Sequence, residues 1–278
     1  MKIYVLKLRY NGIYLYEDCS EEDSMLHDFT KDEFDIVIQA GQSNSEGCGF
    51  GYTDEPYEPD SRVWYLNQDR TISLASERVA YNGIQSNFSL SFAREYIRAG
   101  RLAEGRKLLI VRSAVGGTGF LDNRWKLSDD LYIQMTDMVR TALSLNPSNR
   151  LVALLWHQGE TDAICNATYE QHYGHLTALI KDTRSNFNVP GLPFVAGDFV
   201  HHWRELNEGI CAPVLKAIRD VCVDCGHGGF VETDGLESNA QNGVKHPFGW
   251  EDDSIHFSRD ALYELGKRYF AEFEKITG

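Results

Sequence analysis

The sequence has no apolar run long enough to cross a bilayer. Leu151–Trp156 is among its longest, and a spanning helix needs roughly twenty such residues. Basic residues are also in short supply. The 27 Lys and Arg face 41 Asp and Glu, for a net charge of −14. Acidity of this size opposes binding to nucleic acid or to an anionic membrane surface. The six cysteines, Cys19, Cys48, Cys165, Cys211, Cys222 and Cys225, are too few for a disulfide scaffold in 278 residues. Cys222-Val-Asp-Cys225 with His227 lacks the second Cys pair of a structural zinc site, so it reads as a helix end and turn. No G-x-G-x-x-G or G-x-x-x-x-G-K-[ST] follows a strand, which disfavours a nucleotide-binding fold. Charges interrupt the apolar residues of the N-terminus and no small-residue cleavage site follows. That is not a signal peptide, and a cytoplasmic location is expected. Asn87-Phe-Ser89 and Asn166-Ala-Thr168 match glycosylation sequons, which matter only in a secretory setting. Internal repeats and low-complexity segments are missing.

What is present is an alternating pattern. Ile3–Arg9 and Ile13–Tyr16 flank Tyr10-Asn11-Gly12, so residues 1–33 are expected to form an N-terminal β-hairpin extension, ending in an acidic loop over 17–23. From residue 34 to 278 the order is strand, loop, helix, repeated. Short apolar runs at 35–40, 62–66, 107–111, 151–156 and 193–196 predict five buried strands. Helices are predicted over 88–99, with Asn87 as cap and Gly100 as stop, and over 130–145, 169–186 and 213–223. A last helix is capped by Ser258. The fold class is therefore α/β: a three-layer α/β/α sandwich around a doubly wound, mainly parallel five-stranded sheet. In such sheets functional residues lie past the carboxyl ends of the strands. Four segments qualify: 41–47, 112–119, 157–162 and 197–199, all rich in glycine and polar side chains.

Ser43 follows the first of these strands and, taken alone, reads equally well as a helix cap. As a nucleophile it needs a base. Asp253-Ser-Ile-His256, just before the last helix, offers one, because an acid three residues before a histidine can hold its Nδ1–H and leave Nε2 toward the cleft. Asp252 is less aptly spaced, and His227 and His246 lack an equally placed acid. An oxyanion hole is also required. The backbone N–H of Ser43, the Gly116-Gly117 turn and the side chain of Gln158 supply donors from three strand ends.

These blocks, Gly41-Gln-Ser-Asn44, Gly116-Gly-Thr118, Trp156-His-Gln-Gly-Glu160 and Asp253-x-x-His256, resemble those of the SGNH hydrolases. They are most similar to the branch of sialate O-acetylesterases and the acetylxylan esterases of carbohydrate esterase family six. The blocks keep the family order and span residues 35–270. The resemblance implies a serine esterase acting on O-acetyl esters of a small sugar or oligosaccharide, with no metal and no cofactor. It implies Ser43 as nucleophile, His256 as base and Asp253 as its acid, with Ser43, Gly117 and Gln158 as oxyanion donors. Gln42, Asn44, Glu46, Thr118, Trp125 and Glu160 are the implied substrate contacts, with Trp125 in a pocket wall over 118–128. Ser45 and Glu46 depart from the family's usual apolar and small pair, so Glu46 can narrow or charge the pocket. Arg124 and Lys126 could meet an acidic sugar. Glu160 is either a second acid for His256 or a loop brace, and Asp198 is equally open. Two other functions fit the same blocks. One is a short-chain lipid or thioester hydrolase, the other a non-catalytic carbohydrate-binding protein.

Overall fold

Nearly every residue of Glu33–Gly41 is removed from water, as expected of a strand with helices on both faces. In the computed structural model this strand is the centre of the molecule. Residues 4–10, 13–18, 27–80, 83–243 and 252–278 are described. Asn11, Gly12, Cys19, most of the acidic stretch and the rival base His246 lie outside them.

In chain order the elements begin with β1 (Tyr4–Tyr10) and β2 (Ile13–Asp18), which pair antiparallel. Then come β3 (Glu33–Gly41), α1 (Ser43–Glu46), β4 (Val63–Leu66), β5 (Ile72–Leu74), β6 (Arg78–Ala80), β7 (Gly83–Gln85), α2 (Phe88–Arg98) and β8 (Arg106–Arg112). The second half holds α3 (Asp130–Ser144), β9 (Arg150–His157), α4 (Glu160–Ile164), α5 (Tyr169–Asn186), β10 (Phe194–Gly197), α6 (His201–Leu206), α7 (Glu208–Asp224), β11 (Gly228–Val231) and α8 (Arg259–Thr277). The main sheet has seven strands in the order β11-β10-β9-β3-β8-β4-β5. All neighbours are parallel except β4 and β5. The sheet is thus mainly parallel and doubly wound, with two strands more than the five expected. The reason is length and composition: β5 is three residues long, and β11 opens with Gly228-Gly229, so neither makes an apolar run. Helix α7 starts five residues before the predicted start, carrying Pro213 inside it.

Helices α2 and α8 cover one face. Tyr96 of α2 reaches Asp35 of β3, and Phe88 packs on Tyr269 of α8. Helices α3, α5 and α7 cover the other, where Trp156 meets Phe120 and Phe120 meets His172 of α5. The caps follow local chemistry. Asn87 accepts from Ser89 N, Thr168 and Gln171 form a capping box, and Ser258 accepts from Ala261 N. From β9 the strands run outward in chain order to β10 and β11, while on the other side of β3 the chain reaches β4 and β5 before returning to β8 beside β3. The switch point therefore lies at Gly41, immediately before Ser43.

Candidate active site

Gly41 has φ +127°, and a Cβ there would stand 2.1 Å from the carbonyl oxygen of His157. Only glycine lets β3 end this close to β9. The chain then turns at Gln42, whose N–H bonds to His157 O at 2.9 Å, and enters α1 with Ser43 leading.

Ser43 Oγ lies 2.9 Å from His256 Nε2, and His256 Nδ1 lies 2.6 Å from Asp253 Oδ1. The shared geometry assigns Nδ1–H to the donor side toward Asp253 and leaves Nε2 as acceptor for the serine hydroxyl. Asp253 is buried, and its Oδ2 accepts from Asn239 Nδ2 at 2.8 Å. Asn239 also donates to Cys48 O and accepts from Phe50 N, while its own N–H bonds to His256 O. Sequence reasoning passed over Asn239, because a lone Asn in a polar loop carries no signal. Asp252 is exposed.

The Gly116-Gly117 turn abuts the serine: a Cβ on Gly116 would sit 3.5 Å from Ser43 Cβ. Gly116 N–H is bound to Glu46 Oε2 at 2.8 Å. The N–H groups of Ser43 and Gly117 have no protein acceptor among the described residues. Gln158 is buried, with Nε2 held by Asp162 Oδ2 at 2.9 Å and by longer contacts to Thr118 O (3.3 Å) and Gln42 Oε1 (3.5 Å). One short bond orients this amide, and its second N–H has only the long contacts. Asp162, which sequence reasoning left without a role, also accepts from Phe120 N and Leu121 N, and His172 Nδ1 lies 3.2 Å away. Burial pushes its carboxyl up, but His172 and these donors outweigh it and hold it below the usual range.

Several expected substrate contacts are corrected by burial. Trp125 is fully buried, edge-on to Trp156, with its indole N–H on Thr118 Oγ1. It is the foundation of the loop and not a pocket wall. Thr118 is spent on that bond and on Val115 O. Gln42 is buried and accepts from Thr161 N and Gly159 N, tying β3 to α4. Asn44 donates to Glu160 Oε1 and Ile255 O and accepts from Phe257 N, so it clamps both sides of His256 from beneath. Arg124 is paired to Asp130, and Lys126 reaches Asn123. Glu46 is half-buried beside the turn.

Glu160 is fully buried, and its pKa is pushed up to about 7 by that burial, against the pull of the Asn44 amide. Its Oε1 stands 3.9 Å from His157 Nε2. His157 is held neutral, its pKa pushed down to about 3 by burial. Its Nδ1 faces Tyr269 Oη, which donates to Trp156 O. Asp198 is taken up by Arg204 and Arg219 away from Ser43. Cys222 is buried in α7 and Cys225 caps it, with burial raising both thiols. Among the described residues no group of three or more His, Cys, Asp and Glu could hold a metal ion.

The chain is similar to known proteins over nearly its whole length. Residues 33–275 match the family described as carbohydrate esterase, sialic acid-specific acetylesterase. A probable carbohydrate esterase of Arabidopsis thaliana is 31% identical over 212 residues, 68% of this chain and 78% of that one. A probable 9-O-acetyl-N-acetylneuraminic acid deacetylase of Escherichia coli (strain K12) is 28% identical over 89 residues, 30% of this chain and 27% of that one. The crystal structure of NanS superposes with a TM-score of 0.75 at 18% identity, over 88% of this chain and 97% of that chain, a likeness of fold. The match over nearly the whole chain makes this protein a member of the carbohydrate esterase, sialic acid-specific acetylesterase family, and a carboxylic ester hydrolase directed at O-acetylated carbohydrates.

Proposed function

We propose that the protein removes O-acetyl groups from sugars through Ser43, His256 and Asp253, by way of an acetyl-enzyme. The observation that carries this reading is the unbroken line from Ser43 Oγ to His256 Nε2 at 2.9 Å and from Nδ1 to Asp253 at 2.6 Å. His256 takes the hydroxyl proton as Ser43 attacks the ester carbonyl, and Asp253 stabilises the imidazolium that forms. The negative charge on the carbonyl oxygen meets the N–H groups of Ser43 and Gly117. The second N–H of Gln158 joins them by exchanging its long contacts. His256 then returns the proton to the departing sugar hydroxyl. Water, activated by His256, attacks the acetyl carbonyl and frees acetate and Ser43.

Replacing Ser43→Ala tests this on p-nitrophenyl acetate. The expected loss in kcat is at least about a thousandfold. A variant within a few fold of wild type, with an unchanged circular dichroism spectrum, would overturn the proposal.

A further inference from the structure

A loop segment outside every sequence block holds the catalytic turn from behind. Residues 237–240 run beside 253–258. Asn239 N–H donates to His256 O at 2.9 Å, Ala240 N–H to Asp253 O at 3.2 Å, and Ser258 N–H to Glu237 O at 2.9 Å. Ser238 and Phe257 form an antiparallel bridge between the two segments. The backbone of the turn that carries both Asp253 and His256 is thereby fixed to one short stretch of chain.

Within that stretch Asn239 is fully buried. Its side-chain Oδ1 accepts from Phe50 N at 3.1 Å, and Nδ2 donates to Cys48 O at 2.9 Å and to Asp253 Oδ2 at 2.8 Å. Only one orientation of the amide satisfies these groups. Phe50 N is a donor, whereas Cys48 O and the Asp253 carboxylate are acceptors, so a rotated amide would face three mismatched partners. Cys48 and Phe50 belong to the chain leaving α1, the helix that Ser43 opens. One residue therefore joins the segment behind the nucleophile to the acid through its side chain, and to the base through its backbone.

The acid has a physical need for such a neighbour. Asp253 is buried, and its Oδ1 lies 2.6 Å from His256 Nδ1. A donor on Oδ2 favours the charged carboxylate and resists rotation of the group away from the imidazole. An amide does so without bringing a charge of its own. The titratable groups around this joint are His256, on the other oxygen of Asp253, and Cys48. Burial, with the charges of Glu46 and Asp253 and against the pull of Arg78, pushes the Cys48 thiol up to about 12. The thiol stays protonated and adds no charge to the pair.

We propose that Asn239 is a positioning residue of the esterase, which acts through Asp253 by keeping Oδ1 aimed at His256 and, being buried, makes no contact with substrate. This role rests on the ester-hydrolase reading of Ser43. It extends the line Ser43–His256–Asp253 by a fourth member that no strand-end motif marks.

A double-mutant cycle tests the role, with hydrolysis of p-nitrophenyl acetate as readout. Asn239→Leu keeps a branched side chain and removes the donor. It is expected to lower kcat about tenfold or more with KM little changed, as a hydrogen bond to a charged group contributes. In an Asp253→Asn background the same substitution is expected to change kcat by less than about twofold, because the group it acts through is already gone. Asn239→Asp keeps the size and the acceptor for Phe50 N but sets a second carboxylate against Asp253. Its loss in kcat is expected beside Asp253 and absent once Asp253→Asn has removed the repulsion, so it carries the test should the leucine variant not fold. Losses that multiply in the double variants overturn the role, since a merely structural residue damages both backgrounds alike. Wild-type kcat in either single variant of Asn239 overturns it too. Failure of the underlying reading shows differently, as hydrolysis that survives Ser43→Ala.

Discussion

Glu160 carries the most perturbed carboxyl near the reaction centre. Burial raises its pKa from 4.5 to about 7, so the folded protein keeps a proton that the unfolded chain gives up above about pH 4.5. Between those values the native state binds more protons than the unfolded one. Stability therefore falls as pH rises across that window and levels off above it. Glu160→Gln keeps the oxygen that accepts from Asn44 and carries no charge to bury. Relative to wild type, this variant is expected to gain on the order of 3 kcal/mol between pH 4.5 and pH 8. Thermal denaturation of both proteins at the two pH values checks it; parallel Tm profiles would refute it. The geometry favours the loop brace over a second acid for His256, since Glu160 acts on the His256 segment through Asn44. Residue by residue, the sequence was good at proximity and poor at depth. Ser43, Asp253 and His256 fall together as expected in geometry, whereas Gln42, Asn44, Thr118 and Trp125 lie beneath the cleft instead of in it. A motif records which residues gather at a strand end, but not which of them face water.

At the scale of elements, the ends of strands mattered more than their middles. The five apolar runs were legible because a strand buried on both faces has to be apolar throughout. The two edge strands were not, and neither was the β6–β7 hairpin, although Asn82-Gly83 is a hairpin signal in the sequence. The junction of β3 and α1 depends on Gly41, and Gly41→Ala tests it. The substitution meets the His157 carbonyl and an unfavourable φ together. Expected is a loss of several kcal/mol in stability, measured by urea denaturation. Folded protein that remains should lose kcat, because Ser43 is displaced from His256. Wild-type stability and rate would show that the strand end can shift without harm.

Across the whole molecule the two ends of β3 do different work. Asp35, near its start, is fully buried and accepts from Tyr96 Oη at 2.9 Å and from Arg106 Nε and Arg150 Nε at 2.7 Å. Burial pushes its carboxyl up, but Arg150, Arg106 and Tyr96 outweigh it and hold the pKa below 3.8. A carboxylate lowered in this way stabilises the fold at neutral pH and ceases to do so as pH falls through its folded value. Six residues of strand, roughly 20 Å, separate it from Gly41. Asp35→Ala is expected to cost about 3 kcal/mol at pH 7, less in acid, with kcat/KM changed little. Chemical denaturation beside an ester assay separates the two effects, and a large fall in kcat would show that the far end of the strand communicates with Ser43. By itself the sequence determined the fold class, the strand ends that gather polar residues and the nearness of Ser43 to His256 and Asp253. It could do so because hydrophobic periodicity and short-range motif spacing are local properties of the chain. Only the tertiary structure decided which polar residues are buried as braces and which stay open to the cleft. Burial and bracing hydrogen bonds join segments a hundred or more residues apart, as between Asn44 and Glu160, and no local pattern records them.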